Sequence, residues 1–198
     1  MKTIFVITSL LIIQAFYLRP VQAQSYEALT SQKVVINLDD HTIVTYTRPR
    51  GRISTHNDCS YYWLSGQSIH VTQGGFSGKL LNGSYESFYL NKNLKESGNF
   101  LDGVKIGEWK NWTDQGVLTD QYIWKAGKKN GKYRKFSPEG KEIEYGCYQN
   151  DLLHGKQVIV GDSLHVIHYK HGKVIQRRQF LPGFMNKIIH LSKSAQSD

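Results

Sequence analysis

Six basic side chains lie between residues 105 and 156 of the chain. Ammonium and guanidinium groups bind carboxylates and phosphates, so these side chains are candidate contacts for an anionic ligand. Glycines flank several of the lysines in "GVKIG", "GKKNG" and "HGK". This spacing predicts that the lysines lie in turns between strands. The set comprises Lys105, Lys128, Lys129, Arg134, Lys135 and Lys156.

Four histidines, His154, His165, His168 and His171, fall within eighteen residues and raise the question of a metal site. On an extended strand His165 and His171 share one face, while His168 points to the other. No cysteine or carboxylate pattern completes a zinc site. We therefore expect surface histidines, and neither a metal nor a cofactor is predicted.

Catalytic motifs are not evident either. The sequence contains no Gly-x-Ser-x-Gly elbow, no phosphate loop and no His-Glu-x-x-His motif. "DDH" at 39–41 is typical of a turn. A non-enzymatic protein is therefore predicted, with a hydrolase site in residues 24–58 as the alternative.

A repeat of 24 residues organises the chain that carries these side chains. Stepping back one period from the first of its glycines reaches Cys59, so the array is predicted to hold five units over residues 59–175. The glycines that define the repeat are Gly83, Gly107, Gly131 and Gly155.

Two series of aromatic residues follow the same period. One row comprises Tyr61, Tyr85, Trp109 and Tyr133, and the other comprises Phe76, Phe100, Trp124 and Tyr148. Burial of an aromatic side chain contributes roughly 1.5–3 kcal/mol, so these rows are predicted to hold neighbouring units together. An exposed stripe that stacks on sugars or peptides is the alternative.

Each unit is predicted to be one antiparallel β-hairpin. Short runs that mix aromatic and polar residues are bounded by Gly, Asn, Asp and Pro, and no segment of the array has helical periodicity. Residues 103–107 and 127–131 are predicted to turn the chain into the next unit. The long hairpin tips are "TDQG" at 113–116 and "SPEG" at 137–140, whereas Gly161 and Asp162 are predicted to close a two-residue turn.

The two ends of the chain are predicted to lie outside the array. Residues 1–23 have the charge, apolar run and small-residue cleavage site of a secretion signal, with no cysteine for a lipid anchor. The mature protein is thus expected in the periplasm or outside the cell. Residues 24–58 are predicted to contain a capping hairpin over 33–47, and residues 176–198 a short C-terminal helix and tail.

The motifs "GEWKNW", "WKAGKKNGKYRKF" and "NDLLHGK" resemble MORN repeats, in particular the bacterial MORN-repeat variants. This resemblance covers about residues 61–173 and implies an all-β, extended single-layer sheet of consecutive hairpins. It also implies non-catalytic work in protein association or at membrane surfaces, and some bacterial members carry an antitoxin-type label. Lys79 and Asp151 replace junction glycines and Gln157 replaces an aromatic residue, which suggests capping units at the ends.

The charge of the chain does not choose among these functions. Removal of residues 1–23 lowers the formal net charge from +9 to +7, and acids are mixed with the bases throughout. The leading expectation is a secreted scaffold that binds another protein or an envelope component. A basic module for anionic lipid or another polyanion, and an antitoxin or immunity protein, are the alternatives. No specific nucleic acid is predicted, and the pairing of Cys59 with Cys147 and the oligomeric state stay open.

Overall fold

The computed structural model describes residues 31–49 and 53–175, and within these ranges the protein is all-β. The predicted secretion signal and C-terminal helix lie outside the described residues. The strands are β1 (Gln32–Asn37), β2 (His41–Thr47), β3 (Ser60–Ser65), β4 (Ser68–Gln73), β5 (Lys79–Tyr89), β6 (Leu94–Leu101), β7 (Val104–Trp112), β8 (Leu118–Lys125), β9 (Lys128–Phe136), β10 (Glu142–Gln149), β11 (Leu152–Leu153), β12 (Gly155–Val160), β13 (Leu164–Lys170) and β14 (Lys173–Val174).

These strands form one open antiparallel sheet of consecutive hairpins. Strands β5 to β10 lie side by side in chain order, followed by β12, β13 and β14, while the short β11 pairs with β10. The sheet predicted from the repeat is therefore confirmed. A hairpin alone is marginal in water, so each unit depends on its neighbours for stability.

Two-residue turns join one hairpin to the next. Asp102 and Gly103 have φ values of 51° and 80°, and Ala126 and Gly127 have 48° and 79°. Positive φ at both central residues is the signature of a type I′ turn, whose twist matches that of the flanking strands. The same pair of positive φ values recurs at residues 150–151 and 171–172. Asp151 thus takes the place of a junction glycine in the left-handed region that Asn and Asp tolerate.

The prediction that Lys105, Lys128, Lys129 and Lys156 lie in turns is wrong. Because the turns take only two residues, Lys105 lies in β7, Lys128 and Lys129 lie in β9, and Lys156 lies in β12. Residues 104–107 and 128–131 are likewise strand rather than turn. Gly131 has a φ of 138° inside β9, beside a shift in the register of β8 and β9, so this repeat glycine marks a β-bulge.

The lengths of the hairpin tips agree with the prediction except in the last unit. Residues 113–117 join β7 to β8 and residues 137–141 join β9 to β10, which confirms the long tips. Between β12 and β13 the loop has three residues, 161–163, because Val160 pairs with Leu164. A two-residue turn would pair Val160 with Ser163 and shift every later pair, so that prediction is wrong.

The first hairpins depart from simple stacking. The predicted N-terminal hairpin is present as β1–β2, and β2 rather than β4 lies along most of β5. The β3–β4 hairpin pairs with β5 only at Trp63–Leu80 and Leu64–Lys79. Its side chains Tyr62, Leu64 and Ile69 pack against a buried cluster of Leu81, Phe100 and Trp109. This first unit of the array therefore covers part of one face of the sheet.

Candidate binding face

One face of the sheet collects most of the aromatic residues that the repeat predicts. Residues opposite each other in antiparallel strands project to the same face, and the pairs include Phe100–Lys105, Trp109–Tyr122, Trp124–Lys129 and Gly131–Tyr148. We call this the aromatic face. Its ring-bearing residues are Tyr85, Phe100, Trp109, Tyr122, Trp124, Tyr133 and Tyr148.

Glycines make room for the largest rings on the aromatic face. A Cβ on Gly98 would lie 2.2 Å from Cδ2 and Cε2 of Trp109, and one on Gly146 would lie 2.8 Å from Cε1 of Tyr133. Trp109 and Tyr133 are only 2% and 1% exposed. The ring of each therefore occupies the space above a glycine of the adjacent strand.

The rings contact one another across the two predicted rows as well as along them. Tyr85 and Trp109, of one row, have centroids 5.5 Å apart, while Phe100 lies 4.9 Å from Trp109 and Tyr133 lies 4.9 Å from Tyr148. Tyr61 and Phe76, predicted as the first members of the two rows, do not join them. The two rings contact each other, with centroids 6.2 Å apart, in a separate cluster around Cys59 and Leu80. The β3–β4 hairpin turns out of the stack, which removes these two rings from the rows.

Tyr122 links the two halves of the aromatic face. It is the cross-strand partner of both Trp109 and Tyr133, and its ring stacks on Tyr133 at 5.7 Å with an interplanar angle of 8°. Burial raises the pKa of the Tyr122 hydroxyl to about 12. The sequence places Tyr122 where other units have glycine, which marks it as unusual without revealing its contacts.

Lys105 lies among the rings with an anionic partner. Its Nζ is 3.7 Å from the centroid of Trp109 and 2.9 Å from Oε1 of Glu96, and its side chain is 14% exposed. The ring of Tyr62, from the β3–β4 hairpin, lies 5.5 Å away. The positive charge is thus compensated by a carboxylate and by the faces of aromatic rings.

Lys129 occupies the equivalent position one repeat later, but without such a carboxylate. Its Nζ lies 4.0 Å from the centroid of Tyr122, 5.4 Å from that of Tyr148 and 5.8 Å from that of Trp124. Among the described residues, no carboxylate lies within ion-pair distance of this nitrogen. Burial lowers the pKa of the Lys129 ammonium, against the opposing effect of the carboxylates of Asp151 and Asp120.

A hydrogen-bonded cluster closes the far end of the aromatic face. Tyr133 donates its hydroxyl to Glu144 at 2.7 Å, and Gln157 donates its amide to Glu144 at 2.8 Å and to the Tyr133 oxygen at 3.0 Å. Lys135 lies 3.0 Å from the other oxygen of Glu144. Burial favours the neutral form of Glu144, but the donors from Tyr133, Lys135 and Gln157 together lower its pKa. Gln157, which breaks the aromatic row, is thus a buried polar end to it.

The six predicted anion contacts do not form one patch. Four of them are paired with carboxylates of this chain: Lys105 with Glu96, Lys128 with Asp58, Arg134 with Glu142 and Lys135 with Glu144. Arg134 lies in β9 between Tyr133 and Lys135 and so projects to the opposite face. Lys156 is exposed in β12.

Sequence reasoning missed the acidic residues that organise the lysines. Glu96, Asp120 and Glu144 are spaced by the repeat period of 24, so the signal was present in the sequence. The acid is glutamate in two units and aspartate in the third, and each of the three carboxylates has a different partner. Only the register shows that these three residues lie on the aromatic face.

Other candidate groups are not brought together for chemistry. In the described part of the chain, no group of three or more His, Cys, Asp or Glu side chains is arranged to hold a metal ion. Cys59 and Cys147 are both free thiols. The turn predicted at 39–41 lies at 38–40, because His41 is already the first residue of β2. Asp40 pairs there with His41 at 2.6 Å and with Lys95 at 3.2 Å. Within residues 31–49 and 53–175, no helix has the length and apolar character needed to cross a membrane.

Comparison with known proteins adds no family. No family model matches the sequence, and no curated protein matches it.

Proposed function

We infer that the protein is a secreted, non-enzymatic repeat scaffold that binds another protein, or a component of the cell envelope, through the aromatic face. The observation that carries this proposal is the partly exposed group Tyr122, Trp124, Lys129 and Tyr148 on β8 to β10. Aromatic residues are enriched at protein interfaces, where they supply a large contact area at a low cost in conformational entropy. The rigid sheet beneath them would hold these rings in place before a partner arrives.

The resemblance to MORN repeats supports the same proposal. Proteins with these repeats associate with other proteins or with membrane surfaces, and a hairpin sheet of this kind underlies such work. Secretion rests on the composition of residues 1–23. Mass spectrometry of the protein recovered from its source should find an N-terminus at Gln24, whereas recovery of an intact N-terminus at Met1 would contradict secretion.

Binding to anionic lipid or another polyanion is the main rival, and the ion pairs weigh against it. Four of the six candidate cations already contact carboxylates, so binding a polyanion there would first require breaking these pairs. Charge-driven binding weakens steeply as ionic strength rises. The two proposals therefore differ in the salt dependence of binding. An antitoxin or immunity function stays a prediction that gene neighbourhood can test.

Site-specific photocrosslinking tests the proposal without disturbing Lys129. A photoreactive phenylalanine analogue at Tyr148 would lie on the aromatic face, and the same analogue at Tyr145 would lie on the opposite face, where the side chain is 36% exposed. In the source cells we expect an adduct with a defined partner from position 148, and not from position 145, at moderate ionic strength. Adducts from position 145 alone, or from neither position, would contradict the proposal.

A further inference from the structure

The repeat makes Lys105 and Lys129 two versions of one position, and the difference between them points to a binding site. Lys105 contacts Glu96, the residue nine positions earlier, at 2.9 Å. The residue nine positions before Lys129 is Asp120, whose side chain is one methylene shorter. Asp120 accepts a hydrogen bond from the amide of Asn111 at 2.6 Å and another from the hydroxyl of Thr119 at 3.1 Å.

The second acid near Lys129 is also engaged elsewhere. Asp151 accepts a hydrogen bond from the backbone N–H of Lys129 at 2.8 Å, which stabilises the turn that it forms with Asn150. Both carboxylates that act electrostatically on the Lys129 ammonium therefore already accept hydrogen bonds from other groups. The ammonium itself contacts three aromatic rings and, within the described residues, no acceptor that would complete its hydrogen bonds.

The surroundings of the two lysines differ in a second respect. The β3–β4 hairpin reaches Lys105 through Tyr62, which lies 5.5 Å from its Nζ. Among residues 31–49 and 53–175, the rings around Lys129 come from β8 and β10, within the sheet itself. The β3–β4 hairpin therefore covers the aromatic face at Lys105, but it contributes no ring to the surroundings of Lys129.

We propose that Lys129, with Tyr122, Trp124 and Tyr148, forms a site for a glutamate or aspartate side chain of an acidic peptide segment. The incoming carboxylate takes the place that Glu96 takes beside Lys105. The carbon chain that precedes it packs against the rings. This inference rests on the proposed function and names the chemistry of the partner.

A titration of the purified full chain with a labelled N-acetyl-hexaglutamate amide tests the site, with the hexaglutamine peptide as the uncharged probe. A charge-assisted hydrogen bond at a half-buried position is expected to change affinity by about tenfold or more. Lys129→Met should therefore weaken hexaglutamate binding by about that factor. Lys132→Met is the matched control, since it removes one charge from the same strand on the opposite face, and we expect less than about a twofold change.

A second variant keeps the lysine and fills the site from within. Asp120→Glu lengthens the side chain to that of Glu96, so its carboxylate is expected to pair with Lys129 and to lower peptide affinity by about tenfold. Thermal melting of every variant shows whether the fold is retained. Loss of affinity in both Lys129→Met and Asp120→Glu, with Lys132→Met unchanged, supports the site.

Three results would overturn the inference. Equal weakening by Lys132→Met would mean that the net charge, and not the site, attracts the peptide. Equal affinity of wild type and Lys129→Met would show that Lys129 does not accept the carboxylate. Binding of an oligogalacturonate in the absence of hexaglutamate binding would assign the face to acidic sugars. In each case an adduct from position 148 would still leave the proposed function standing.

Discussion

Gly98 lies directly beneath the indole ring of Trp109, across the boundary between two repeat units. A Cβ at residue 98 would come within 2.2 Å of two ring atoms. Trp109 is 2% exposed and contacts Tyr85, Phe100 and Lys105, so the ring has little freedom to move away. The close approach of glycine and indole holds β6 and β7 together on the aromatic face.

Gly98→Ala should destabilise the protein by overpacking. The added methyl group must displace a buried indole, and insertions of this size cost about 1–3 kcal/mol in closely packed interiors. Chemical denaturation monitored by tryptophan fluorescence measures the change. Gly75→Ala is the matched control because no atom lies within 4 Å of a Cβ there, and equal effects of the two substitutions would contradict the packing.

Glu96 and Lys105 should be energetically coupled. The pair is largely withdrawn from water, with 26% and 14% of the two side chains exposed, so we expect a coupling energy of about 1–2 kcal/mol, above that of a surface pair. A double-mutant cycle with Glu96→Gln and Lys105→Met, read by denaturation, isolates this quantity. Additive effects of the two substitutions would show that the pair contributes nothing beyond its separate side chains.

Glu144 should make stability depend on pH in the acidic range. Its pKa is lowered in the folded protein, so the folded state binds fewer protons than the unfolded state near the ordinary pKa of 4.5. The contribution of Glu144 is therefore fully present above that value and is lost as pH falls through the lowered, folded-state pKa.

Glu144→Gln tests this dependence because glutamine cannot titrate. Melting temperatures measured between pH 3 and 7 should fall less steeply at the acidic end in the variant than in wild type. Glu86→Gln, at an exposed position of β5, is the control for a general loss of one carboxylate. If the fall of the melting temperature at acidic pH were unchanged in Glu144→Gln and reduced in the control variant, a group other than Glu144 would cause the dependence.

Ala126→Asn should stabilise the protein. Ala126 has a φ of 48° in a two-residue turn before Gly127, a conformation in which asparagine is preferred and alanine is strained. We expect a gain of about 0.5–1 kcal/mol in the free energy of unfolding, because asparagine adopts the left-handed conformation at a lower cost than alanine. The reverse exchange at the equivalent position, Asn150→Ala, should cost stability. A loss of stability in Ala126→Asn would mean that the turn is not of this type.

The repeat could be recognised from sequence because its glycines and aromatic residues have different and regular spacings. The hairpins, their long tips and the aromatic rows of the middle units follow from that spacing. The position of the turns did not follow, because Gly103 and Gly107 both look like turn residues. One ends a type I′ turn, while the other, with a φ of 68°, lies within β7.

Only part of the candidate site could be predicted from the sequence. Lys129 could be named as a cation, but its contacts depend on which residues β8 and β10 place across from it. The repeat spacing does not show that the β3–β4 hairpin leaves the row of stacked hairpins. Cys59 and Tyr61 keep the 24-residue spacing, yet they belong to another cluster. Packing of Tyr62, Leu64 and Ile69 on the sheet decides that position.

Proton NMR of the lysine side chains shows whether the register of the hairpins places Lys105 and Lys129 over aromatic rings. Protons held above the face of a ring are shielded, so the ε-methylene signals of both lysines should move upfield from those of exposed Lys132. Nuclear Overhauser contacts should join Lys129 to Tyr122 and Tyr148. Lysine signals at the same positions for residues 105, 129 and 132, without those contacts, would contradict this register of the hairpins.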